Sequence, residues 1–332
     1  MHEVVNSSPT EEAVRVAVLR ACYRGLLLRE PEPAAVDPAM PPLFSPAFEQ
    51  ALADITQTFA SSAEFAKRRG EVKFPADTWV QMLIEDRIRL WIDLGDAGVS
   101  RWCLTGSFEP VETKFVLGLL KPGMSFVDIG ANIGWFTVQA ADRVGPQGHV
   151  TAFEPRPTTG HWLKRSIEDN AFSERAEIYN CAVGPRAGEI HIGYSRDTDN
   201  PGGTWSLLNE KLEARFRTGN AVMIRVPMVA LDEVVGDRRV DVIKIDIEGA
   251  EPAAMAGSSR ILSTNRPIVV SEINPALLEQ VSNVSARDYV KTMNALGYRC
   301  CELTPHGPGA EYSGAALPNG LDMINVAFYP II

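Results

Sequence analysis

Carboxylate side chains follow apolar runs at several points of the sequence, and glycines stand beside them. The first place carries Asp128 near the end of an apolar run, followed by Gly130, Asn132 and Gly134. A strand that passes through a glycine turn into a helix presents backbone N–H groups to an anion, at the edge where open α/β sheets bind ligands. The spacing is G-x-x-x-G and differs from the G-x-G-x-x-G of dinucleotide-binding proteins. Because an acidic residue beside the turn disfavours a pyrophosphate, we expect a ligand with an amino group and one carboxylate, or else a purely structural turn.

A second carboxylate, Glu154, follows the apolar run 150–153 and stands 20 positions after Gly134. A carboxylate at the end of the second strand of such a fold accepts hydrogen bonds from both hydroxyls of a ribose. Pro155 favours an extended Glu154 and directs its side chain off the strand end. The two places together suit S-adenosylmethionine, whose methionine end and ribose supply these groups. The alternative for Glu154 is a solvated charge at a strand end.

A third place has Asp246, Glu248 and Glu251 within six residues, at the end of an apolar run. Strand alternation puts Asp246 and Glu248 on one face together with Lys244. Repulsion between these carboxylates favours a raised pKa and hence a general base, although the same oxygens suit a divalent cation equally well. The plain alternative is an ordinary helix cap.

Three further residues belong to the candidate site. Glu272 ends the next apolar run and is expected at the same sheet edge. Ala182 lies in the stretch 180–184, which ends the third predicted strand, where a nucleoside base would lie. His191 is a third candidate for catalysis, beside Asp246 and Glu248, although a lone histidine is more often structural.

Strand-like and helical segments alternate after residue 73, which predicts a parallel sheet covered on both faces and closed by an antiparallel edge hairpin. The predicted strands are Ser125–Ile129, His149–Phe153, Glu177–Val183, Val240–Ile247, Pro267–Ile273, Tyr298–Leu303 and Met323–Tyr329. The predicted helices are Val111–Leu120, Trp135–Val144, Thr158–Asn170, Pro252–Leu262 and Ala286–Leu296. Earlier segments predict a helix or strand over 79–91 and a short hairpin over 98–108. Residues 188–228 interrupt the alternation and predict an inserted hairpin or lid.

Residues 1–72 predict a separate helical module ahead of a second domain over 73–332. Ser8-Pro9-Thr10-Glu11 is typical of a helix start, and six prolines between Pro31 and Pro46 require an extended loop. The segments Tyr23–Pro31 and Ser62–Phe65 resemble a short helical module of bacterial surface-polysaccharide and secreted proteins. Packing or oligomerisation is the plainest role for this module.

Charge and composition exclude several classes of protein. The 332 residues include 32 Lys and Arg and 42 Asp and Glu, for a formal net charge of -10. This balance disfavours nucleic acid as a partner. Without an apolar targeting segment or a membrane-length apolar run, the expected location is the cytoplasm, with no transmembrane segment. Five irregularly spaced cysteines predict buried, reduced thiols. A homo-oligomer is left open.

From about residue 98 to 330 the chain resembles FkbM-type methyltransferases. The resemblance rests on D-x-G-A-N-x-G from Asp128 combined with K-I-D-I-E-G-A-E from Lys244. Smaller matches follow in the family's order: Phe108-Glu109-Pro110, Glu154-Pro155, Asn180–Gly184, Leu231-Asp232-Glu233 and Glu272. The resemblance implies a Rossmann-like class I methyltransferase fold, which is an α/β fold with a mostly parallel seven-stranded sheet. It also implies S-adenosylmethionine as the cofactor. The cofactor contacts that it implies are Glu109, Asp128, Gly130, Asn132, Gly134 and Glu154.

The reaction that this resemblance implies is in-line transfer of a methyl group from a sulfonium to a hydroxyl of a small-molecule or glycan acceptor. The acceptor expected is a sugar of a polysaccharide, glycolipid or glycoside. Such a transfer gains from positioning and from exclusion of water, and the hydroxyl needs a base or a metal ion to activate it. A macrolide or polyketide hydroxyl is the main alternative acceptor. A nucleotide-binding oxidoreductase and an inactive binding scaffold are the alternatives outside methyl transfer.

Overall fold

The structure is a computed structural model and describes residues 74–75, 77–195, 205–207, 221–317 and 321–331. Its strands are β1 (Trp79–Ile84), β2 (Ile88–Asp93), β3 (Ser125–Ile129), β4 (His149–Phe153), β5 (Ala176–Tyr179), β6 (Ala182–Val183), β7 (Gly188–Ser195), β8 (Trp205–Leu207), β9 (Ala221–Val229), β10 (Val242–Ile245), β11 (Ile268–Ile273), β12 (Tyr298–Thr304), β13 (Gly307–Glu311) and β14 (Ile324–Pro330). Its α-helices are α1 (Ser100–Leu104), α2 (Pro110–Leu119), α3 (Trp135–Val144), α4 (Pro157–Asp169), α5 (Leu231–Val235), α6 (Glu251–Ala256), α7 (Ser259–Thr264) and α8 (Ala286–Ala295). A helical turn, Pro275–Leu277, and a π-helical turn, Leu278–Ser282, precede α8.

The main sheet has eight strands in the order β13-β12-β14-β11-β10-β3-β4-β5. The five strands from β11 to β5 are parallel, and β14, β12 and β13 run antiparallel at the other end. The expected mostly parallel sheet with an antiparallel edge is confirmed. The count is eight instead of seven because the chain reverses at Gly307, whose φ is 111°, and pairs Gly307–Glu311 with β12.

Alternate residues of the central strands enter two apolar layers on opposite faces of the sheet. Phe126 and Val242 belong to one layer, which includes the buried side of α3. Val127 and Ile243 belong to the other, which includes residues of α5 to α8. Since both faces are covered, β3 and β10 are buried almost throughout, as expected for the centre of a parallel sheet.

A second, four-stranded sheet has the order β6-β9-β7-β8. The antiparallel pair β7 and β9 is the insertion expected over 188–228. The single strand expected over Glu177–Val183 is wrong: the chain leaves the main sheet after Tyr179, and β6 pairs with β9 instead. Asn180 marks the break, where its side-chain amide donates to the Glu154 carbonyl at 3.2 Å.

Two other local predictions are corrected. Residues 98–108 do not form a hairpin, because the Asp96 carboxylate accepts from the backbone N–H groups of Gly98, Val99 and Ser100 and so starts α1. The helix expected over Pro252–Leu262 is two helices, α6 and α7. They separate at Gly257, where a Cβ would lie 2.0 Å from the carbonyl oxygen of Gly184. The ambiguous segment 79–91 is the antiparallel pair β1 and β2.

Several predictions fall outside the described residues. They are the helical module over 1–72 and the parts 196–204 and 208–220 of the insertion expected over 188–228. Four of the five cysteines lie in the described part, and these four are buried and free. No helix of the described residues is both long enough and apolar enough to span a membrane.

Candidate active site

The carboxyl ends of β3, β4, β10 and β11 meet at one edge of the main sheet, and a cavity opens there. Its lining comes from the turn after β3, from the ends of the other three strands and from the start of α2. The lining residues are Gly98, Val99, Phe108, Glu109, Gly130, Ala131, Asn132, Ile133, Trp135, Phe136, Glu154, Pro155, Lys244, Asp246, Ile247, Glu248 and Glu272. This is the position at which open α/β sheets bind their ligands.

The glycine turn after β3 forms one wall of this cavity. Gly130 has a φ of 85°, and a Cβ there would lie 2.0 Å from the carbonyl oxygen of Asp246. Gly134 has a φ of 95°, and a Cβ there would lie 2.2 Å from Cδ1 of Leu163. A side chain at either position would meet both an unfavourable backbone conformation and a neighbouring group. The turn therefore brings the N-terminus of α3 to the cavity.

Glu154 is buried at the end of β4 and is held by two backbone groups. Its Oε2 accepts from the N–H of Asn132 at 3.0 Å, and its Oε1 accepts from the N–H of Arg156 at 2.9 Å. Burial raises the pKa of Glu154 to about 7, against the opposing effect of these two hydrogen bonds. A carboxylate offers about four acceptor positions, so Glu154 keeps acceptor positions that protein groups do not fill.

Lys244 lies at the centre of the carboxylates. Its ammonium nitrogen is 3.3 Å from Oδ2 of Asp246 and 3.5 Å from Oε2 of Glu109. It also lies 4.5 Å from the ring centroid of Phe136. Burial lowers the pKa of Lys244, but the surrounding carboxylates Glu109, Asp246 and Asp128 outweigh burial and raise it, so this lysine stays charged.

Asp128 lies behind the cavity and is not among its lining residues. It is 1% exposed, and its Oδ2 accepts from the hydroxyl of Thr137 at 2.6 Å. Its Oδ1 has no hydrogen-bond partner among the described residues. Burial raises the pKa of Asp128, and Lys244 opposes that rise. The structure thus places Asp128 beneath the glycine turn, facing the lysine.

The remaining carboxylates differ in their surroundings. Glu251 is the first residue of α6 and holds the turn after β10, because its Oε1 accepts from the N–H of Ile247 and of Gly249. Glu248 has a left-handed backbone, with a φ of 56°, and burial followed by repulsion from Asp246 raises its pKa to about 7. Burial and repulsion from Asp246 and Glu248 raise the pKa of Glu272 to about 9. Near neutral pH, Glu272 therefore holds a proton while Glu248 is partly ionised.

Glu109 reaches the cavity from the other side. It precedes α2 with a left-handed φ of 41°, and burial raises its pKa to about 7, against the effect of Lys244. The structure therefore brings Glu109, Asn132, Glu154, Asp246 and Glu248 to one cavity, together with the glycine turn.

Asp128 and Gly134 lie at the glycine turn without lining this cavity, and two further candidates lie on other strands. Ala182 lies in β6 and His191 in β7, and both strands belong to the four-stranded sheet. Neither residue lines the cavity. The described residues contain no group of three or more His, Cys, Asp or Glu side chains arranged to hold a metal ion.

Sequence reasoning did not select Lys244 and Phe136 as site residues. Strand alternation did place Lys244 on the face of Asp246, and that was the available signal. The sequence carried no signal for the contact of Phe136 with the ammonium, because the contact depends on how α3 packs on β10.

A mostly parallel sheet with a glycine turn after its first parallel strand and a carboxylate after its second belongs to the Rossmann-like class of ligand-binding α/β folds. The model of the methyltransferase FkbM domain matches residues 128–300. This is more than half of the chain, and the chain belongs to the FkbM methyltransferase family. Membership of this family supports S-adenosylmethionine as the cofactor.

Two curated proteins and one solved structure are similar to part of this chain. "Methyltransferase sdnD" of Sordaria araneosa is 29% identical over 155 residues, which covers 40% of this chain and 59% of that protein. "AMB antimetabolite synthetase AmbE" of Pseudomonas aeruginosa is 25% identical over 170 residues, or 42% of this chain and 8% of that protein. The solved structure of a methyltransferase FkbM from Methylobacillus flagellatus has a TM-score of 0.38 and 16% identity, covering 69% of this chain and 52% of that one. The matches thus span well under two thirds of each relative.

Proposed function

We propose that this protein is an O-methyltransferase that transfers the methyl group of S-adenosylmethionine to a hydroxyl of a sugar-containing acceptor. The observation that carries the proposal is the single cavity at the sheet edge, in which the glycine turn, Glu154 and the carboxylates after β10 meet. Family membership supplies methyl transfer. The carboxylates after β10 support a hydroxyl acceptor, because one of them can take the hydroxyl proton.

The residues that line the cavity suit S-adenosylmethionine. Gly130 keeps a side chain out of the wall where the carbonyl oxygen of Asp246 approaches. Glu154 has acceptor positions for ribose hydroxyls that no described protein group fills. Glu109 would receive the amino group of the methionine portion. When bound, the sulfonium supplies an electrophilic methyl group. The apolar rings of Phe108, Trp135 and Phe136 line the same cavity and would exclude water from it.

Glu248 is the residue that would take the proton of the acceptor hydroxyl. It lines the cavity, and its pKa of about 7 leaves a useful fraction ionised at neutral pH. Asp246 also lines the cavity but has Lys244 3.3 Å away, so that one of its oxygens is engaged. The proton would end on a carboxylate oxygen of Glu248. His191 stays a prediction without support from the cavity.

A natural-product hydroxyl is a second candidate acceptor. The specific observation in its favour is the similarity to an antimetabolite synthetase over 170 residues. The acidic net charge of -10 weighs against nucleic acid for either candidate.

Calorimetric titration of the full chain with S-adenosylmethionine, with its demethylated product and with NADH tests the cofactor. We expect the protein to bind the two sulfur nucleosides but not NADH. The affinity for the two nucleosides should be the same with and without a chelator. Binding of NADH alone would favour the oxidoreductase, and binding of none by folded protein would favour a scaffold.

Formation of the demethylated product with a panel of methyl glycosides and polyketide alcohols tests the acceptor and the base. Glu248→Gln should lower turnover at least about 100-fold, the usual contribution of a general base, while cofactor affinity changes little. Glu233→Gln is the matched control, because Glu233 lies in α5 and does not line the cavity. Near-normal turnover in Glu248→Gln would remove the base role.

A further inference from the structure

One arginine joins the end of β4 to the inserted strand pair β7 and β9. Arg156 lies two residues after Glu154, directly before α4, and its backbone N–H donates to Oε1 of Glu154 at 2.9 Å. Its guanidinium carbon lies 4.4 Å from the ring centroid of Tyr194. Tyr194 belongs to β7 and lies opposite Val222 of β9. The insertion therefore contacts the segment that carries the buried carboxylate.

The sequence around Arg156 restricts its backbone, and Tyr194 restricts its side chain. Pro155 and Pro157 flank the arginine, and a residue before a proline is confined to an extended conformation. Arg156 accordingly has a φ of -76° and a ψ of 118°. A guanidinium over the face of an aromatic ring is attracted to it. Both the N–H and the charge of Arg156 are therefore held in place.

Arg156 acts on Glu154 through both of these groups. Burial raises the pKa of Glu154 to about 7, while the N–H and the charge of Arg156 oppose that rise and Asp128 adds to it. A cation beside a buried carboxyl favours the ionised form. The ionised form accepts hydrogen bonds at both oxygens, whereas a protonated carboxyl loses part of that capacity.

We propose that the insertion takes part in cofactor binding through this pair of residues: Tyr194 fixes the guanidinium of Arg156, and Arg156 is a positioning residue that keeps Glu154 able to accept from both ribose hydroxyls. The inference rests on the proposed function, because it assumes that Glu154 binds the ribose. Neither Arg156 nor Tyr194 lines the cavity, so both residues act through Glu154.

Other groups near the cavity have to be separated from Glu154 in any pH profile. The charged groups that act on Glu154 are Arg156 beside it and Asp128 in β3. The neighbouring strand β5 adds Tyr179, whose hydroxyl donates to Glu177 at 3.0 Å. Two further carboxyls of the cavity have pKa values of about 7, and they are Glu109 and Glu248. Their contribution is common to all variants at position 156 and cancels when the variants are compared.

Calorimetric titration of the full chain with the demethylated thioether product at pH 6, 7, 8 and 9 tests the inference. This ligand has the ribose of the cofactor and no reactive sulfonium. Arg156→Gln should bind it about fivefold less tightly at pH 7 and less than about twofold less tightly at pH 9, the result of a tenfold weaker acid at Glu154. Arg156→Lys keeps the cation and should retain most of the affinity at pH 7.

Variants of the tyrosine test the contact with the insertion. Tyr194→Leu should lose affinity at pH 7 in the same direction as Arg156→Gln but by less, whereas Tyr194→Phe keeps the ring and should bind normally. Arg175→Gln is the matched control, because the guanidinium carbon of Arg175 lies 4.3 Å from the ring centroid of Phe172 and neither residue lines the cavity. The control should bind the ligand normally at every pH.

The outcomes separate the inference from the proposed function. Normal binding by Arg156→Gln, or a loss of equal size at all four pH values, overturns the positioning role and leaves the methyltransferase proposal standing. The same holds if Arg156→Gln causes its full loss in a protein that already carries Glu154→Gln. Normal binding by Tyr194→Leu at every pH removes the insertion from cofactor binding. Failure of the folded, unsubstituted protein to bind the ligand contradicts the proposed function and the inference together.

Discussion

Lys244 and Asp128 lie directly opposite each other in the parallel register between β10 and β3. They are 5% and 1% exposed, so an ammonium and a carboxylate are buried as neighbours under the glycine turn. Paired residues of parallel strands point to the same face, and the two motifs that carry most of the family resemblance therefore meet through this one pair. The charge of Lys244 opposes the rise in pKa that burial causes in Asp128 and in the cavity carboxylate Glu109.

Lys244→Met should destabilise the protein more at pH 8.5 than at pH 5.5. Burial already raises the pKa of Glu109 to about 7 and raises that of Asp128, and without the ammonium both should rise further. A carboxyl with a raised pKa in the folded state favours folding at low pH, and this contribution is lost as the pH rises. We expect a loss of about 3–5 kcal/mol at pH 8.5, the usual cost of breaking a buried ion pair.

Denaturant unfolding of Lys244→Met at the two pH values measures this loss. Lys121→Met, at an exposed lysine, is the control and should change stability little at either pH. If Lys244→Met lowered the free energy of unfolding equally at both pH values, Lys244 would stabilise the fold by packing against Phe136 and not by its charge.

Gly130→Ala should damage both the fold and cofactor binding. The new methyl group would lie 2.0 Å from the carbonyl oxygen of Asp246, in a backbone conformation with a φ of 85° that alanine disfavours. We expect a loss of about 2–4 kcal/mol in stability, the range of other severe steric substitutions. Cofactor affinity should fall by more than about tenfold, because the wall of the cavity must move.

Gly118→Ala is the matched control for this substitution. Gly118 lies inside α2, and a Cβ there meets nothing within 4 Å. Alanine at a helix interior is about 0.5–1 kcal/mol better than glycine, so Gly118→Ala should stabilise the protein slightly. Denaturant unfolding measures the stability of the two variants, and calorimetry measures their affinity for the cofactor. Equal stability and equal affinity in the two variants would contradict the role given to the turn.

Glu154→Gln should weaken cofactor binding and remove part of its pH dependence. Both carboxylate oxygens accept from backbone N–H groups, and an amide can accept at only one of them. With the pKa of Glu154 raised to about 7, the unsubstituted protein should bind less well at pH 6 than at pH 8, because a protonated carboxyl has lost acceptor capacity. We expect a fall of about tenfold or more at pH 8.

Calorimetry at pH 6 and pH 8 measures this change, with Glu168→Gln at an exposed position of α4 as control. Unchanged affinity in folded Glu154→Gln would remove Glu154 from the cofactor site.

The parallel sheet could be predicted because its strands are buried on both faces and alternate with helices. The same local logic located the carboxylates at strand ends, since Asp128, Glu154 and Asp246 each follow an apolar run. What joins these residues is not local. The contact of Lys244 with Glu109 depends on where α2 docks against β10, and no pattern within either segment encodes that distance.

The elements that were missed have equally specific causes. The edge strand β13 is Gly-Pro-Gly-Ala-Glu and is mostly exposed, so it lacks the alternation by which strands are recognised. The break after Tyr179 follows from the pairing of β6 with β9, a partner that lies far along the chain. The helix α1 begins at a carboxylate cap on Asp96, four residues before Ser100.

Glu272→Gln should make the free protein more stable at pH 8.5 and leave it unchanged at pH 5. The pKa of Glu272 is about 9 in the folded protein, well above its ordinary value, because it is buried among other carboxyls. Its proton therefore favours folding at low pH, and that contribution is lost as the pH rises towards 9. Glutamine carries no charge at any pH, so the melting temperature should rise by about 2–4 °C at pH 8.5. Scanning calorimetry at both pH values, with Glu311→Gln as the control, measures the shift. A lower melting temperature at pH 8.5 would mean that the fold stabilises the ionised carboxylate of Glu272 and would contradict its raised pKa.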